Sequence, residues 1–270
     1  MSDVRPAAVA GMFYPGARAA LLDEVRVHLT QASARSRAGA PVPKAIIVPH
    51  AGYMYSGPIA ATAYVRVAPA RRTIRRVVMF GPTHRVAVRG LALPSTRAFA
   101  TPFGPVEIDR RAADLALTLP QVEVNDAAHA LEHSLEVQLP FLQAVIEDFR
   151  IVPFAVGAAD ANEVADVMER LWGGPETLIV VSSDLSHYHR YAEAKGIDRH
   201  SADAILAFAP TLDHEEACGA TPINALLACA RRHGLAAQLL DLRNSGDTAG
   251  DRSRVVGYAS FAFVESDRVA

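Results

Sequence analysis

Three histidines in this chain follow short apolar runs, at the points where predicted strands end. His50 closes the run that starts at residue 44, His84 follows the run from residue 77, and His187 follows the run from residue 178. In an open α/β sheet, the loops at the carboxyl ends of the strands line a common crevice. Neutral imidazole is the commonest protein ligand of transition metals. The spacing therefore predicts one shared site, with a metal ion as its expected occupant.

Two further residues suit the same chemistry. Asp184 lies three positions before His187, where the two could share one helical face, so Asp184 could orient His187 as a base or cap a helix. Cys218 precedes Gly219 and a predicted helix start, a position that favours the thiolate and exposes it. Cys218 is a candidate metal ligand or nucleophile. Cys229 lies in an apolar helix and is predicted to belong to the core.

A polar segment at residues 132–136 leaves two interpretations open. His133 and Glu136 lie one turn apart at the start of a predicted helix. Acidic residues suit a first helical turn, so the pair could be a solvated helix start. The alternative places one or both beside the metal, as an orienting or substrate-binding pair. Tyr53 and Tyr188 are expected to line the same pocket.

Alternating β and α signals indicate the fold that would position these residues. The chain is predicted to be one α/β domain, residues 1–270, with a central, largely parallel or mixed sheet flanked by helices. Apolar runs predict strands at residues 44–48, 76–80, 90–93, 151–156, 177–182 and 255–264. Helical periodicity predicts helices at residues 17–34, 58–67, 110–119, 135–148, 162–172, 191–207 and 222–233.

Composition excludes several classes of function. The chain is 50% hydrophobic and 21% charged, with a formal net charge of −2, so nothing favours nucleic acid as a partner. The apolar runs are too short for a membrane span, and the N-terminus lacks a signal-peptide pattern. Two cysteines cannot build a structural zinc cluster. These features predict a cytoplasmic protein.

Six segments together resemble the Memo family, which in bacteria and archaea is labelled system protein B of the AmmeMemoRadiSam grouping. They cover nearly the whole chain, in the family's order: residues 6–15, 48–57, 81–84, 132–136, 182–187 and 218–219. The resemblance implies a fold similar to class III extradiol dioxygenases of the LigB type, which use non-haem Fe(II). It also implies a radical-SAM enzyme and an AmmeMemoRadiSam companion protein as partners.

The resemblance also implies roles for particular residues. His50, His84 and Cys218 match the family's metal ligands, while Asp184 and His187 match neighbouring pocket residues, with His187 in the place of a dioxygenase acid/base. Fe(II) is the expected ion, and a thiolate ligand also admits copper or zinc. Dioxygenases use a carboxylate where this chain has a thiol, so the fold alone does not establish dioxygenase activity.

Two other functions remain open at this point. Cys218 could act as a nucleophile with His187 as its base and Asp184 orienting the imidazole, which gives a hydrolase or transferase but no role to His50 and His84. Alternatively, the cleft could bind a peptide or a partner protein without catalysis. The leading hypothesis is a metal-binding, dioxygenase-like protein that could carry out redox or oxygen chemistry, because it gives a role to the strand-end histidines.

Overall fold

Parallel strands form the centre of the main sheet in the computed structural model, which describes residues 3–37 and 39–266. The strands are β1 (Val4–Arg5), β2 (Ala45–Val48), β3 (Arg76–Pro82), β4 (Leu91–Leu93), β5 (Ala98–Phe99), β6 (Val106–Glu107), β7 (Val122–Val124), β8 (Arg150–Val156), β9 (Thr177–Ser182), β10 (His187–His189), β11 (Leu235–Asn244) and β12 (Val255–Glu265). Within these residues the main sheet has nine strands in the order β10-β12-β2-β9-β3-β8-β4-β7, with β11 also paired to β12. Strands β2, β9, β3 and β8 run parallel, whereas β12 and β4 join antiparallel.

Helices pack around this sheet. They are α1 (Arg18–Ser33), α2 (Tyr53–Val67), α3 (Arg110–Ala116), α4 (Asp126–Ala130), α5 (Leu139–Val145), α6 (Ala161–Arg170), α7 (Tyr191–Leu206), α8 (Ala220–Arg232) and α9 (Ser245–Thr248). α1, α2 and α5 contact one another, and α6 contacts both α3 and α8. The central strands β2 and β9 are buried at every residue, which explains their continuous apolar sequences. The predicted α/β class with a mixed, helix-flanked sheet is confirmed.

The predicted strands and helices are present with shifted ends, and one long strand was missed. β11 is half-buried along most of its length, and its leucines, alanines and charged residues give no clean alternation. Its pairing with β12 decides the structure there. The helix predicted for residues 135–148 is a 3₁₀ turn, Glu136–Gln138, followed by α5, because Pro140 suits a helix start.

Helix α2 begins five residues earlier than predicted. The carbonyl of Gly52 accepts hydrogen bonds from the N–H groups of Tyr55 and Ser56, at 2.8 and 3.1 Å. A first turn therefore forms before Pro58, which lies inside the helix. The extension places Tyr53 and Tyr55 in the first turn of the helix, and Tyr55 lines the same pocket as His50.

The N-terminal segment is fixed by a buried carboxylate. Glu136 is fully buried and accepts hydrogen bonds from Arg5 Nη1 at 2.5 Å, from the N–H groups of Ala8 and Val9 at 2.7 and 3.0 Å, and from the Tyr14 hydroxyl at 2.6 Å. A buried charge is tolerated when it is paired and fully hydrogen-bonded, as here. This carboxylate therefore holds residues 5–14 against the body of the protein.

Among the described residues, 3–37 and 39–266, no helix has both the length and the apolar character that crossing a membrane requires.

Replacing Glu136 should destabilise the protein strongly. In Glu136→Gln, Arg5 loses its buried counter-charge and one acceptor oxygen becomes a donor, so we expect a loss of about 3 kcal/mol in the free energy of unfolding. Glu107→Gln is the matched control, because Glu107 pairs with Arg150 at 3.1 Å on the surface. Its effect should stay within about 0.5 kcal/mol. Equal losses in urea denaturation of the two variants would contradict this account.

Candidate metal centre

Three strands that are neighbours in the sheet end at one pocket. β2 and β3 each pair in parallel with β9, so their carboxyl ends lie at the same edge. His50 lies two residues beyond β2, His84 two residues beyond β3, and His187 opens β10 after β9. The pocket has a volume of about 820 Å³, and His133 and Asp184 also line it. The structure thus brings the strand-end histidines to a shared site.

Three imidazoles form the cluster that could hold a metal ion. Ligand atoms of His50, His84 and His133 all lie within 4.8 Å of one another. Burial, followed by the charges of His84 and His133, lowers the pKa of His50 well below its usual value. Burial also lowers the pKa of His133 to about 4. His50 and His133 are therefore neutral at pH 7, the state in which imidazole binds metals.

The hydrogen bonds of His50 fix which nitrogen faces the cluster. Its Nδ1 lies 2.9 Å from Ser182 Oγ. The Ser182 hydroxyl donates its own proton to the Ser134 carbonyl at 2.6 Å, so it accepts from His50. We assign the proton of neutral His50 to Nδ1 from this network. The lone pair of Nε2 is then free for a metal ion.

Glu132 fixes the other two histidines. Its Oε1 lies 2.9 Å from His84 Nδ1 and accepts the N–H groups of His133 and Ser134 at 2.8 and 2.9 Å, while Oε2 accepts the His84 N–H at 2.7 Å. Burial alone would raise the pKa of Glu132, but these hydrogen bonds outweigh it and hold the pKa at about 2. Glu132 was not predicted as a site residue, although an acid directly before His133 was a visible signal.

Cys218 lies beside the cluster, with Sγ 3.3 Å from His50 Nε2. A Cβ on the next residue, Gly219, would lie 2.7 Å from Ser183 Cβ, so glycine lets this loop approach the end of β9. Burial, and then the charge of Asp184, raises the pKa of Cys218 to about 12. The prediction that the helix start favours the thiolate is therefore wrong for the metal-free protein, because burial outweighs it. Helix α8 begins at Ala220.

Asp184 and His187 do not form the predicted pair. The residues between β9 and β10 are irregular, so no helical face joins them. Asp184 Oδ1 accepts a hydrogen bond from the backbone N–H of His50 at 2.7 Å. Burial raises the pKa of Asp184 to about 7, although this hydrogen bond acts to lower it. His187 lines the pocket, and burial lowers its pKa. Among the described residues, no hydrogen bond connects the Asp184 and His187 side chains.

The other predicted pocket residues differ in position. Tyr53 and Glu136 lie behind the pocket wall: the Tyr53 hydroxyl donates to the Val137 carbonyl at 2.7 Å, and Glu136 holds the N-terminal segment. Tyr188 stands at the mouth, exposed, with a left-handed φ of 63°. Tyr55 and Tyr258 also line the pocket and were not predicted.

Glu132→Gln should destabilise the metal-free protein in a pH-dependent manner. Because the pKa of Glu132 is about 2 in the folded state and about 4.5 unfolded, its ionised form contributes about 3 kcal/mol above pH 5, and this is lost as the pH falls towards 2. Glutamine resembles the protonated acid. The difference in the free energy of unfolding between the native protein and Glu132→Gln, measured by urea denaturation with chelator, should therefore shrink between pH 5 and pH 3. Glu123→Gln, at an exposed position, is the control. A deficit that does not vary with pH would contradict this assignment.

Comparison with known proteins gives one consistent family. A family profile described as "Memo-like protein" matches residues 5–262. Proteins named "MEMO1 family protein" from Methanosarcina mazei and Aquifex aeolicus are each 36% identical, covering 96% and 97% of this chain and 98% and 99% of their own lengths. A relative from Aeropyrum pernix is 37% identical over 94% of this chain and 98% of its own.

A solved structure also shares the fold. An uncharacterised protein from Escherichia coli K12 aligns with a TM-score of 0.50 and 14% identity, covering 80% of this chain and 98% of its own. At that identity the likeness concerns the fold alone. The profile and the relatives, by contrast, span nearly the entire sequence, and the chain belongs to the Memo family.

Proposed function

We propose that this protein binds one metal ion at the pocket and uses it in redox or oxygen chemistry on a small molecule. The observation that carries the proposal is the convergence of three imidazoles, whose ligand atoms lie within 4.8 Å of one another. Ser182 and Glu132 hydrogen-bond the Nδ1 atoms of His50 and His84, which leaves the lone pair of each imidazole on Nε2. Iron is the ion we propose, with copper and zinc as alternatives that the same donors accept.

Two donor sets share His50 and His84 and differ in the third ligand. The structure groups these two with His133, whereas the family resemblance points to Cys218, whose Sγ is 3.3 Å from His50 Nε2. We favour Cys218, because a thiolate would place one negative charge directly on a divalent ion, whereas the carboxylate of Glu132 acts on it only through its hydrogen bond to His84. The positive charge of a bound ion would lower the pKa of the Cys218 thiol, so that the thiol loses its proton. His133 then lies beside the ion as a pocket residue.

The remaining pocket residues have distinct tasks in this proposal. Iron held by these residues would supply redox chemistry. His187 lines the pocket with a lowered pKa, so at pH 7 it is a neutral base that can accept a proton from a ligand hydroxyl. Asp184 holds the backbone of His50 in place. Dioxygenase-like activity is the reaction class we propose to test first.

The structure gives less support to the two alternative functions. A nucleophilic Cys218 needs a thiolate, yet burial raises the pKa of this thiol to about 12, and its Sγ contacts His50. A purely peptide-binding cleft does not require the orientation of the imidazoles by Ser182 and Glu132. A radical-SAM enzyme and a companion protein are proposed as partners on the family resemblance.

Metal content is the first test. In protein purified without oxygen, elemental analysis should find about one iron per chain, lost in both His50→Ala and Cys218→Ala and retained at reduced affinity in His133→Ala. Cys229→Ala is the matched control, because this buried thiol lies on α8 with its Sγ 3.7 Å from the Ala165 carbonyl, and it should keep the ion. If His133→Ala loses the metal and Cys218→Ala retains it, the third ligand is the His133 imidazole and not the Cys218 thiolate. A native protein that takes up no iron, copper or zinc would refute the proposed function.

Metal binding should release a proton from Cys218. At pH 8 the thiol is protonated in the metal-free protein, because its pKa is about 12, while His50 and His133 are already neutral. We expect calorimetry in buffers of different ionisation enthalpy to show about one proton released per ion. Affinity should then rise with pH above 8, since the thiolate fraction rises. Binding without proton release would indicate imidazole ligands alone.

A further inference from the structure

Three arginines surround a second cavity beside the mouth of the pocket that contains the histidine cluster. This cavity has a volume of about 660 Å³, and its lining includes Arg190, Arg252 and Arg254 together with Tyr188, His189 and Glu193. We call it the arginine pocket, and the cavity with the histidine cluster the metal pocket. Tyr188 lines both, so the two cavities are neighbours that share one side chain as a wall.

The positive charge of the arginine pocket is not balanced by carboxylates. None of its three arginines forms an ion pair with a residue in the ranges that the structure describes. Glu193, the acid in the lining, lies 3.2 Å from His189 Nδ1 instead. Asp251, close by in sequence, accepts two hydrogen bonds from Ser253. The chain as a whole has a net charge of −2, yet this cavity gathers like charges whose repulsion an anion would relieve.

Aromatic rings hold two of the guanidinium groups and leave most of their N–H groups available. Arg254 Cζ lies 5.2 Å from the centroid of the Tyr188 ring, and Arg252 Cζ lies 4.4 Å from that of Tyr191. A stacked guanidinium is held through its face, whereas it donates hydrogen bonds from its edge. Arg252 Nε donates to the Gly246 carbonyl at 3.5 Å, and the guanidinium of Arg254 has no acceptor among the described residues. Both groups are therefore positioned to donate to a ligand.

Arg190 lies at the N-cap of α7, where a positive charge is unfavourable. The aligned peptide dipoles make a helix N-terminus positive, so side chains with acceptor oxygens are preferred there. No side chain caps this end of the 16-residue helix, and Glu193 is the acid of its first turn. An anion in the arginine pocket would compensate both the charge of Arg190 and the helix dipole.

A bulge in β10 joins the arginine pocket to the metal pocket. The pairing of β10 with β12 shifts register between His187 and His189, and Tyr188 at this shift has a left-handed φ of 63°. Bulges redirect side chains, and the free-energy cost of such a backbone conformation is retained mainly at functional sites. Here His187 lines the metal pocket, His189 lines the arginine pocket and Tyr188 lines both. The bulge thus places the proposed base next to the arginines.

The number of donors in the arginine pocket favours a phosphate group over a single carboxylate. One arginine in bidentate geometry satisfies both oxygens of a carboxylate. A phosphate monoester presents three acceptor oxygens and close to two negative charges, so it can accept hydrogen bonds from several guanidinium groups at once. Three arginines at a helix N-terminus match this larger charge and oxygen count.

We propose that the arginine pocket is a phosphate subsite, where Arg190, Arg252 and Arg254 bind the phosphate group of a small molecule whose other end lies in the metal pocket. The inference rests on the proposed function for the role of that other end, while phosphate binding itself requires no metal. It makes the ligand of this protein a phosphorylated compound that extends past Tyr188. The arginines bind and orient this compound and take no part in its reaction.

Binding of inorganic phosphate to metal-free protein is the first test. Metal is removed with a chelator, and gel filtration then removes the chelator, so that phosphate meets neither an ion nor a competing anion. A phosphorus NMR titration at pH 8 should show saturable binding with a dissociation constant on the order of 1 mM. We expect Arg252→Gln and Arg254→Gln each to weaken this binding about fivefold, because each removes a charged hydrogen-bond donor.

Arg199→Gln is the matched control. Arg199 is exposed on the same helix, lies 3.8 Å from Asp203 and is outside the lining of the arginine pocket, so this variant should bind phosphate like the native protein. Equal phosphate binding by the native protein, Arg252→Gln and Arg254→Gln would overturn the proposal. Tighter binding of succinate than of phosphate through the same arginines would overturn the choice of phosphate.

The second test asks whether one ligand reaches both cavities. Protein is loaded with iron without oxygen and its metal content is measured. Calorimetry then compares acetohydroxamate, which binds iron, with hydroxamates that carry a phosphonate on alkyl spacers of about two to six carbons. At the best spacer length we expect about tenfold tighter binding than for acetohydroxamate, and Arg254→Gln should abolish this gain. No gain at any length would overturn the shared ligand. Protein that takes up no metal but binds phosphate through the arginines would refute the proposed function and leave the phosphate subsite supported.

Discussion

Two buried carboxylates, at the two ends of the segment 132–136, organise the site and its surroundings. Glu132 and Glu136 both receive hydrogen bonds from strands and loops that are distant in sequence. Arg5 joins them, donating to the Glu132 carbonyl at 2.6 Å and to the Glu136 carboxylate at 2.5 Å. Charges taken out of water are stable only when such partners are all present. The fixed position of His84 and the seating of the N-terminal pocket wall therefore depend on the same network.

The sequence predicted the site residues that lie just after the ends of strands. His50 and His84 come directly after continuous apolar runs, and period and composition locate such runs well. His133 is different, because it lies in an irregular stretch between α4 and a 3₁₀ turn. Its approach to the other imidazoles depends on Glu132, a tertiary contact that no periodicity encodes. The missed strand β11 has the same cause, since its pairing with β12 outweighs a weak local pattern.

Electrostatic properties were the hardest to predict from sequence. A thiol before a helix start suggested an easily ionised Cys218, but the direction of its pKa shift is set by burial and by the Asp184 carboxylate. The same burial keeps His50 neutral, which favours metal binding. In the proposed metal site, imidazole donors that need no deprotonation are combined with a thiol that does. An ion bound by Cys218 would have to displace the thiol proton, and the proposal therefore couples affinity to pH through this residue.

Strand β12 connects the pocket lining to two of the strand-end histidines. It pairs with β2, which leads to His50, and with β10, which begins at His187. The backbone hydrogen bonds of β12 therefore connect the strand that carries Tyr258 to both strands that position these histidines. Rigid positioning of this kind suits chemistry that needs a ligand oxygen, an ion and a base at fixed separations. The adjustable elements are instead at the rim, where Tyr188 and Met54 are exposed and can adapt to the body of the ligand.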